Sequence, residues 1–221
     1  MLRILGAILG TTALVAAAPN PTRPTTERVY RVAAIGDSLT DTRVGGGRYL
    51  DALRKKCPES RFDAYGVGGQ QTLHMRWRFQ RDVLNKRYTD VIVLGGVNDL
   101  SARSPSYANT SQARKNLAYM YESAHKKGLR VIALTVPPWG KLKFGDRRPE
   151  ATRELNRWIL EQRESGKVDV AVDIQPLLAC GDPMNLCSAY RRYPQDAIHW
   201  SRAGHDVVAG ALATEAFADC R

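Results

Sequence analysis

The sequence has few cysteines, and they are not arranged to bind a metal ion. Its four cysteines, Cys57, Cys180, Cys187 and Cys220, form no Cys-x-x-Cys pair and show none of the Cys/His spacings of zinc sites. Structural zinc sites bring four thiolate or imidazole ligands together at characteristic short spacings. We therefore expect these thiols to bind no metal, which leaves them available for disulfide bonds.

Long apolar runs are also scarce. The one candidate lies near the N-terminus, where Arg3 precedes an apolar stretch over residues 4–15 that is followed by Ala16, Ala17 and Ala18. A positive start, a short apolar middle and small residues after it are typical of a secretory signal peptide, and the run is short for a membrane span. We predict cleavage after Ala17, and a retained membrane anchor is the alternative interpretation.

The domain organisation follows from this cleavage. Residues 1–17 are predicted to be the signal peptide, and residues 18–28, rich in Pro and Thr, an exposed linker. Residues 29–221 contain no internal repeat and have the size of one domain. We expect a secreted or periplasmic protein that has no stable membrane insertion once the signal peptide is removed.

The predicted export favours disulfide bonds among the four cysteines, because the compartments outside the cytoplasm are oxidising. Four cysteines allow three pairings, and the sequence alone does not decide among them. Cys180 and Cys187 flank a short loop that contains glycine and proline, so a local bridge is the simplest choice. That choice leaves Cys57 to pair with Cys220.

Acidic residues are in deficit. The chain has 22 Asp and Glu against 33 Lys and Arg, a formal net charge of +11. This balance favours an anionic polymer or an anionic surface as a partner. No nucleic-acid-binding motif accompanies the charge, so nucleic acid is not expected as a partner. The alternative is a basic surface that only keeps a secreted protein soluble.

Strand-like and helix-like segments alternate along the domain. Apolar runs predict five strands, over residues 29–35, 61–65, 90–94, 129–136 and 168–174. Periodic apolar positions predict helices over residues 49–56, 72–85, 111–127 and 150–164, and a last helix from the Ser201 cap toward Cys220. The alternation predicts an α/β fold with a mostly parallel, doubly wound sheet of five strands and helices on both faces.

Residues able to carry chemistry follow three of these strands directly. Ser38 lies in the Gly36-Asp37-Ser38-Leu39 turn, residues 66–69 form a glycine cluster, and Asn98 follows the third strand. Open α/β sheets bind ligands at the carboxyl ends of their strands, so these residues should meet at one edge. The Ser38 N–H, an N–H of the glycine cluster and the Asn98 amide are then candidate donors to an oxyanion.

A serine nucleophile also needs a base. His199 is the best candidate of the four histidines, because Asp196 precedes it by three residues and can hold the far nitrogen of its ring. A simple cap or turn explains an Asp-x-x-His pattern about as well. Metal binding by this pair lacks a third ligand.

Together, the turn containing Ser38, the glycine-rich segment ending at Gly69, Gly96-Val97-Asn98-Asp99 and Asp196-Ala197-Ile198-His199 resemble the SGNH hydrolases, also called the GDSL esterase/lipase family. The resemblance implies a flavodoxin-like, three-layer α/β/α fold. It makes Ser38 the nucleophile, His199 the base, Asp196 its orienting partner, and Ser38, Gly69 and Asn98 the oxyanion donors. The family often has an asparagine where Ala64 or Tyr65 stands here, which leaves Gly68 as a rival to Gly69.

The resemblance implies a secreted serine esterase that forms an acyl-enzyme on Ser38 and uses no metal or organic cofactor. Its expected substrate is a small-molecule or carbohydrate acyl ester. No long apolar insertion resembles a lipase lid, which favours short acyl groups such as carbohydrate O-acetyl. The alternatives are a lysophospholipase or thioesterase of the same family, and a non-catalytic binder of anionic polymer.

Two further groups of side chains are predicted to border this site. Four arginines are candidates for steering an anionic substrate, namely Arg76, Arg78, Arg191 and Arg192. Three tryptophans are candidates for stacking on sugar rings, although core packing explains each equally well, namely Trp77, Trp139 and Trp200.

Overall fold

The computed structural model describes residues 27–101, 110–140 and 146–221. The predicted signal peptide, residues 1–17, and all but the last two residues of the predicted linker lie outside these ranges. Within the described ranges, no helix has both the length and the apolar character that crossing a membrane requires.

A parallel sheet of five strands forms the centre of the molecule. Its strands are β1 (Arg31–Gly36), β2 (Arg61–Gly66), β3 (Asp90–Leu94), β4 (Arg130–Leu134) and β5 (Val170–Val172), in the order β2-β1-β3-β4-β5. The middle strand β3 is buried along its whole length, as its uninterrupted apolar run predicts for a strand covered on both faces. The predicted fold class is confirmed, and the strand order is the flavodoxin-like one.

Helices cover both faces of this sheet. They are α1 (Arg48–Lys56), α2 (Thr72–Phe79), α3 (Val97–Ser101), α4 (Thr110–Lys126), α5 (Arg148–Glu164), α6 (Gln175–Leu178) and α7 (Arg202–Glu215). The chain runs outward from β1 to β2 and then reverses toward β3, β4 and β5. Right-handed crossovers therefore put α1 on one face and α2, α4 and α5 on the other. α7 packs against α1, and α4 packs against α2 and α5.

Several element boundaries differ from the sequence prediction. β1 begins at Arg31 because Val29 lies outside the core, with 42% of its surface exposed. The predicted helix over residues 72–85 divides into α2 and a π-helical turn, Gln80–Leu84. β4 and β5 are shorter than their apolar runs. α7 ends at Glu215, because the chain then turns to bring Cys220 to Cys57.

The stretch between Cys180 and Cys187, which the sequence indicated only as a short loop, forms an antiparallel hairpin. Its strands are β6 (Ala179–Cys180) and β7 (Asp182–Leu186). Gly181 has a φ of +72°, the left-handed conformation that a tight turn requires and that glycine adopts without strain. The hairpin comes shortly before the segment with Asp196 and His199 and gives it an ordered support.

The strand register places the three predicted motifs, which follow β1, β2 and β3, at the same height along the sheet. Gly36, the last residue of β1, pairs with Gly66 of β2 and with Leu94 of β3. Ser38, Gly68 and Gly96 therefore each lie two residues beyond the same level of the sheet. A Cβ on Gly66 would lie 2.1 Å from the Asp41 nitrogen, so only glycine allows the chain after Ser38 to cross the end of β2.

Two disulfide bonds are present, Cys57–Cys220 and Cys180–Cys187. The first joins the segments that follow α1 and α7, two helices that pack together. Beside it, the Arg28 N–H donates to the Asp219 carbonyl at 2.7 Å, so the entry into the domain is held against its C-terminus. The second bond closes the base of the β6–β7 hairpin.

We predict that the two bonds contribute unequally to stability. Loop-closure entropy grows with loop length, and the sequence separations are 163 and 7 residues. Replacing Cys57 and Cys220 by serine should lower the free energy of unfolding by up to about 5 kcal/mol, and the matched Cys180→Ser/Cys187→Ser variant by about 2 kcal/mol. Denaturant unfolding measures both values, and peptide mapping without reduction checks the pairing. Equal losses, or a peptide joining Cys57 to Cys180, would contradict the prediction.

Candidate active site

The carboxyl edge of the sheet brings the predicted nucleophile and base into contact. Ser38 lies in the turn after β1, where the Asp37 carbonyl accepts hydrogen bonds from the N–H groups of Thr40 and Asp41 at 3.1 and 3.0 Å. The turn leaves Ser38 half-buried between β2 and β3, at the topological switch point of the sheet. Its Oγ lies 3.0 Å from His199 Nε2, a hydrogen-bond distance.

His199 is positioned by loops rather than by the sheet. Trp200 forms an antiparallel bridge with Arg191, and the Arg192 N–H donates to the His199 carbonyl at 2.9 Å. Directly afterwards Ser201 begins α7, where its side chain accepts a hydrogen bond from the backbone. The His199 backbone is thus fixed on both sides.

Asp196 contacts the far side of the His199 ring. Its carboxylate oxygens lie 3.1 and 3.2 Å from His199 Nδ1, and Oδ1 also accepts hydrogen bonds from the N–H groups of Ile198 and His199. Partial burial opposes ionisation, but these backbone hydrogen bonds and the nearby ring lower the pKa of Asp196 below its usual value. A carboxylate at Nδ1 favours the tautomer in which Nε2 can accept a proton from Ser38.

The glycine-rich turn after β2 offers one free backbone donor beside Ser38. The Gly68 N–H donates to Asp41 Oδ2 at 3.0 Å, whereas the N–H groups of Gly69 and Ser38 have no partner among the described residues. A Cβ on Gly68 would lie 3.8 Å from Ser38 Cβ, so the turn passes close to the nucleophile. Of the two rival glycines, Gly69 has the available donor.

Asn98, in α3, contacts the same turn. Its Nδ2 donates to the Gln70 carbonyl at 3.0 Å, and Gln71 Nε2 donates to the Asn98 carbonyl at 3.2 Å. An amide nitrogen carries two N–H groups, so one holds the turn and the second can serve a ligand. The next residue, Asp99, accepts hydrogen bonds from the N–H and hydroxyl of Thr72 at the start of α2.

Asp41, which the sequence analysis did not single out, joins the turn of Ser38 to the glycine-rich turn. It is 3% exposed, and its Oδ2 accepts from both Gly68 and Arg43. The hydrogen bonds from Arg43 outweigh the effect of burial and lower the pKa of Asp41 to about 2. The available sequence signal was an acidic residue three positions after Ser38, at the N-cap of the short 3₁₀ helix Thr42–Val44.

Two further carboxyl groups lie beneath this edge. Asp37 is fully buried, and burial raises its pKa to about 7 despite a hydrogen bond from the Leu39 N–H at 3.0 Å. Burial also raises the pKa of Asp99, against its hydrogen bonds from Thr72. Near neutral pH the Asp37 carboxyl thus carries less than a full negative charge, which reduces its repulsion of an anion at Ser38.

Arg78 was predicted to lie at the rim of the site. It is instead buried beneath the site, with 7% of its surface exposed. Its guanidinium donates to the carbonyls of Gly36 and Tyr65 at 2.8 and 2.9 Å, and to the side chains of Gln70 and Asp82 at 2.7 and 3.0 Å. The expectation that Arg78 meets substrate is therefore wrong, because its donors are used to hold the strand ends.

The other arginines also differ from one another. Arg191 donates to three oxygens of residues 185–194 at 2.8–3.1 Å, so it holds its own loop and does not face a substrate. The Arg76 guanidinium lies 4.2 Å from the ring centroid of Tyr119. Arg192 is exposed and lines the recess that contains Ser38 and His199.

Two of the three tryptophans are unavailable for stacking on a sugar. Trp139 and Trp200 are 6% and 2% exposed, and both belong to the core. Trp77, on α2, is 69% exposed, with its ring edge-on to His74 at a centroid distance of 5.3 Å. Trp77 therefore remains the candidate.

The recess at Ser38 is narrow and lies between residues 44–46 and the His199 loop. A larger cavity of about 430 Å³ lies between the C-terminal ends of α4 and α5 and contains none of the predicted site residues. Those helix ends lead back to the amino ends of the strands, so this cavity is at the edge opposite Ser38. Across the described ranges, no group of three His, Cys, Asp or Glu side chains is placed to hold a metal ion.

Comparison with known proteins places this geometry in a family. The model of the GDSL-like Lipase/Acylhydrolase family matches residues 34–207. Two solved structures have a similar fold. The first is Axe2, an acetylxylan esterase from Geobacillus stearothermophilus, with a TM-score of 0.70 and 20% identity, over 89% of this chain and 99% of that chain. The second is a GDSL-like lipase from Bacteroides thetaiotaomicron, with a TM-score of 0.68 and 23% identity, over 84% of this chain and 86% of that chain.

A curated relative, the uncharacterized lipoprotein YqeF of Bacillus subtilis (strain 168), is 35% identical over 75 residues, 33% of this chain and 31% of that protein. The match thus spans about a third of the relative's length. The family model, in contrast, spans most of the domain and includes the segments with Ser38, Gly69, Asn98, Asp196 and His199. The chain therefore belongs to the GDSL-like lipase/acylhydrolase family.

Proposed function

We propose that this chain is a secreted serine esterase that hydrolyses short-acyl carboxylic esters, including carbohydrate O-acetyl esters, through an acyl-enzyme on Ser38. The observation that carries the proposal is the 3.0 Å contact between Ser38 Oγ and His199 Nε2, with Asp196 on the other ring nitrogen. A hydroxyl within hydrogen-bond reach of an oriented imidazole is the arrangement that activates a serine.

In the first half of the reaction, Ser38 Oγ attacks the ester carbonyl carbon while His199 Nε2 takes its proton. Asp196 stabilises the imidazolium that forms. His199 then returns the proton to the leaving alcohol oxygen as the carbon–oxygen bond breaks, which leaves the acyl group on Ser38. In the second half, water attacks the acyl-enzyme with His199 as base, and the acid is released.

The negative charge that develops on the carbonyl oxygen needs donors that are already in place. We assign the N–H groups of Ser38 and Gly69, together with the second N–H of Asn98. The two backbone groups support this role because they have no partner among the described residues. Gly68 is excluded by our assignment, since its N–H is held by Asp41.

Four observations support the substrate and the compartment. The similar fold of an acetylxylan esterase and the exposed ring of Trp77 favour a carbohydrate ester over a lysophospholipid or a thioester. The two disulfide bonds and the similarity to a lipoprotein favour a location outside the cytoplasm.

The first prediction concerns the catalytic unit. Ser38→Ala and His199→Ala should each lower kcat for 4-nitrophenyl acetate by at least about 10⁴-fold, and the double variant should lose little more, since nucleophile and base act together. Asp196→Asn should retain more activity. The matched control is Ser165→Ala, which removes an exposed serine elsewhere. A serine-directed phosphonate should label Ser38 alone, and hydrolysis that survives in Ser38→Ala would refute the assignment.

The second prediction concerns acyl length. A series of 4-nitrophenyl esters from acetate to decanoate should give the highest kcat/KM with acetate or propionate, because the sequence has no long apolar insertion of the kind that shelters a long acyl chain in a lipase. Purified wild-type protein is compared with Ser38→Ala at each length to subtract background hydrolysis. A maximum at octanoate or decanoate would favour a lipase-like function instead, and no hydrolysis at any length would favour a non-catalytic binder.

The third prediction concerns Asp41 and pH. Its pKa is lowered to about 2 in the folded protein, so its ion pair stabilises the fold above pH 4 and this stabilisation is lost as the pH falls toward 2. Asp41→Asn should lower the free energy of unfolding by about 2 kcal/mol at pH 6 and by much less at pH 2.5. Urea unfolding at both pH values measures the difference. The same loss at both values would show that the carboxylate charge is not responsible.

A further inference from the structure

One arginine beside the catalytic pair has a charge that no other side chain neutralises. Arg192 lines the recess with Ser38 and His199, and its Nη1 donates to the Val44 carbonyl at 2.5 Å. It forms no ion pair among the described residues, and every Asp and Glu of the chain lies in those residues. Two carboxylates of the site already have partners, since Asp41 pairs with Arg43 and Asp196 with the His199 ring.

The backbone of the neighbouring turn holds this guanidinium in place. A Cβ on Gly45 would lie 3.4 Å from Arg192 Cζ and 3.5 Å from both terminal nitrogens, so the guanidinium rests against a residue without a side chain. On the other side, Cζ lies 5.2 Å from the ring centroid of Tyr193. A guanidinium has five N–H donors, and one is used on Val44. Its remaining donors can bind an oxyanion group in a fixed geometry.

Arg192 also lies on a defined side of the reaction centre. Its N–H donates to the His199 carbonyl at 2.9 Å, so the two residues are neighbours across a strand-like pair. His199 is the group that returns a proton to the leaving oxygen, so the alcohol part of the ester must lie beside it. The oxyanion donors Ser38 and Gly69 belong to other turns, those after β1 and β2. A charge near Arg192 is therefore a charge on the alcohol.

We propose that the alcohol part of the substrate carries a carboxylate or phosphate close to the esterified hydroxyl, and that Arg192 binds it. This inference rests on the proposed function and narrows its substrate class. Of the four arginines that the sequence suggested for this role, Arg78 and Arg191 use their donors to hold the protein and Arg76 stacks on Tyr119. Arg192 alone of the four lines the recess with the nucleophile and the base.

The test compares two chromogenic acetates of equal acyl length, neutral 4-nitrophenyl acetate and anionic 3-carboxy-4-nitrophenyl acetate. Arg192→Gln should lower kcat/KM for the anionic ester at least about tenfold more than for the neutral one, the effect of one charge-assisted hydrogen bond. Arg192→Lys should retain part of the preference. Arg87→Gln is the matched control, since it removes one exposed positive charge just before β3, at the opposite edge of the sheet. This control substitution should leave kcat/KM unchanged for both esters.

Ionic strength gives a second readout. Between 0.1 M and 1 M salt the screening length falls from about 10 Å to about 3 Å, so wild-type kcat/KM for the anionic ester should fall and Arg192→Gln should lose this dependence. Equal losses on both esters in Arg192→Gln would limit Arg192 to holding the loop and overturn the proposal. Failure of the proposed function would give a different result, because wild type would then not hydrolyse the neutral ester either.

Acidic carbohydrates and anionic lipids both supply an alcohol that carries a carboxylate or phosphate, and a further comparison distinguishes these two kinds of substrate. Acetate release from an O-acetylated uronic-acid oligosaccharide is compared with acetate release from 1-acetylglycerol 3-phosphate, which has the headgroup of an anionic lipid and the same acyl length, each in wild type and Arg192→Gln. An Arg192-dependent rate with the first assigns an acidic carbohydrate, and with the second an anionic lipid. The proposal would be overturned if wild type hydrolysed an acetylated neutral xylooligosaccharide as fast as both anionic substrates and if Arg192→Gln had no effect on these rates.

Discussion

The arrangement of the active site depends on one buried cation, the guanidinium of Arg78. It donates to the carbonyl of Gly36 at the end of β1 and to that of Tyr65 near the end of β2. A buried charge that loses its partners costs about 3–5 kcal/mol, so the guanidinium and the two strand ends must become ordered together. Ser38 lies two residues beyond Gly36, and Gly68 three residues beyond Tyr65. This one interaction therefore sets the distance between Ser38, the proposed nucleophile, and the glycine-rich turn, which is proposed to stabilise the oxyanion of the tetrahedral intermediate.

Part of the basic surplus thus has a structural purpose, which changes what the net charge implies. Arg78 and Arg191 stabilise strand ends and a loop, and Arg130 donates to the buried Asp90 of β3. The formal charge of +11 consequently overstates how many cations are free to meet a partner. A non-catalytic binder of anionic polymer would also have no need of a serine hydroxyl 3.0 Å from an oriented imidazole. The charge argument therefore favours one cation near the reacting ester over a basic surface as a whole.

The sequence predicted the elements that local patterns determine and missed those that depend on contacts between distant segments. Apolar runs such as residues 90–94 predicted the sheet, and three motifs placed directly after strands predicted the meeting of Ser38, Gly69 and Asn98. The burial of Arg78 was not predictable, because a helical arginine appears solvated until the strand ends that accept its hydrogen bonds are known. Asp41 was missed for the same reason, since its role appears only when Gly68 is brought beside it. The π-helical turn after Phe79 likewise has no signature in the local sequence.

The two halves of the site are held by different physical means. The segments with Ser38, Gly69 and Asn98 directly follow β1, β2 and β3 of the hydrogen-bonded sheet, whereas His199 lies in a loop between the β6–β7 hairpin and α7. That loop is supported by the β6–β7 hairpin, because Arg191 donates to the Leu186 carbonyl and the Asn185 side chain. The hairpin is in turn closed by Cys180–Cys187, and the Cys187 N–H donates to the Leu178 carbonyl. A covalent link therefore supports the loop that contains His199, whereas strand pairing in the sheet supports the turn that contains Ser38. Such a link persists where thiols are oxidised, so the proposed export and the placement of His199, the proposed base, depend on the same chemistry.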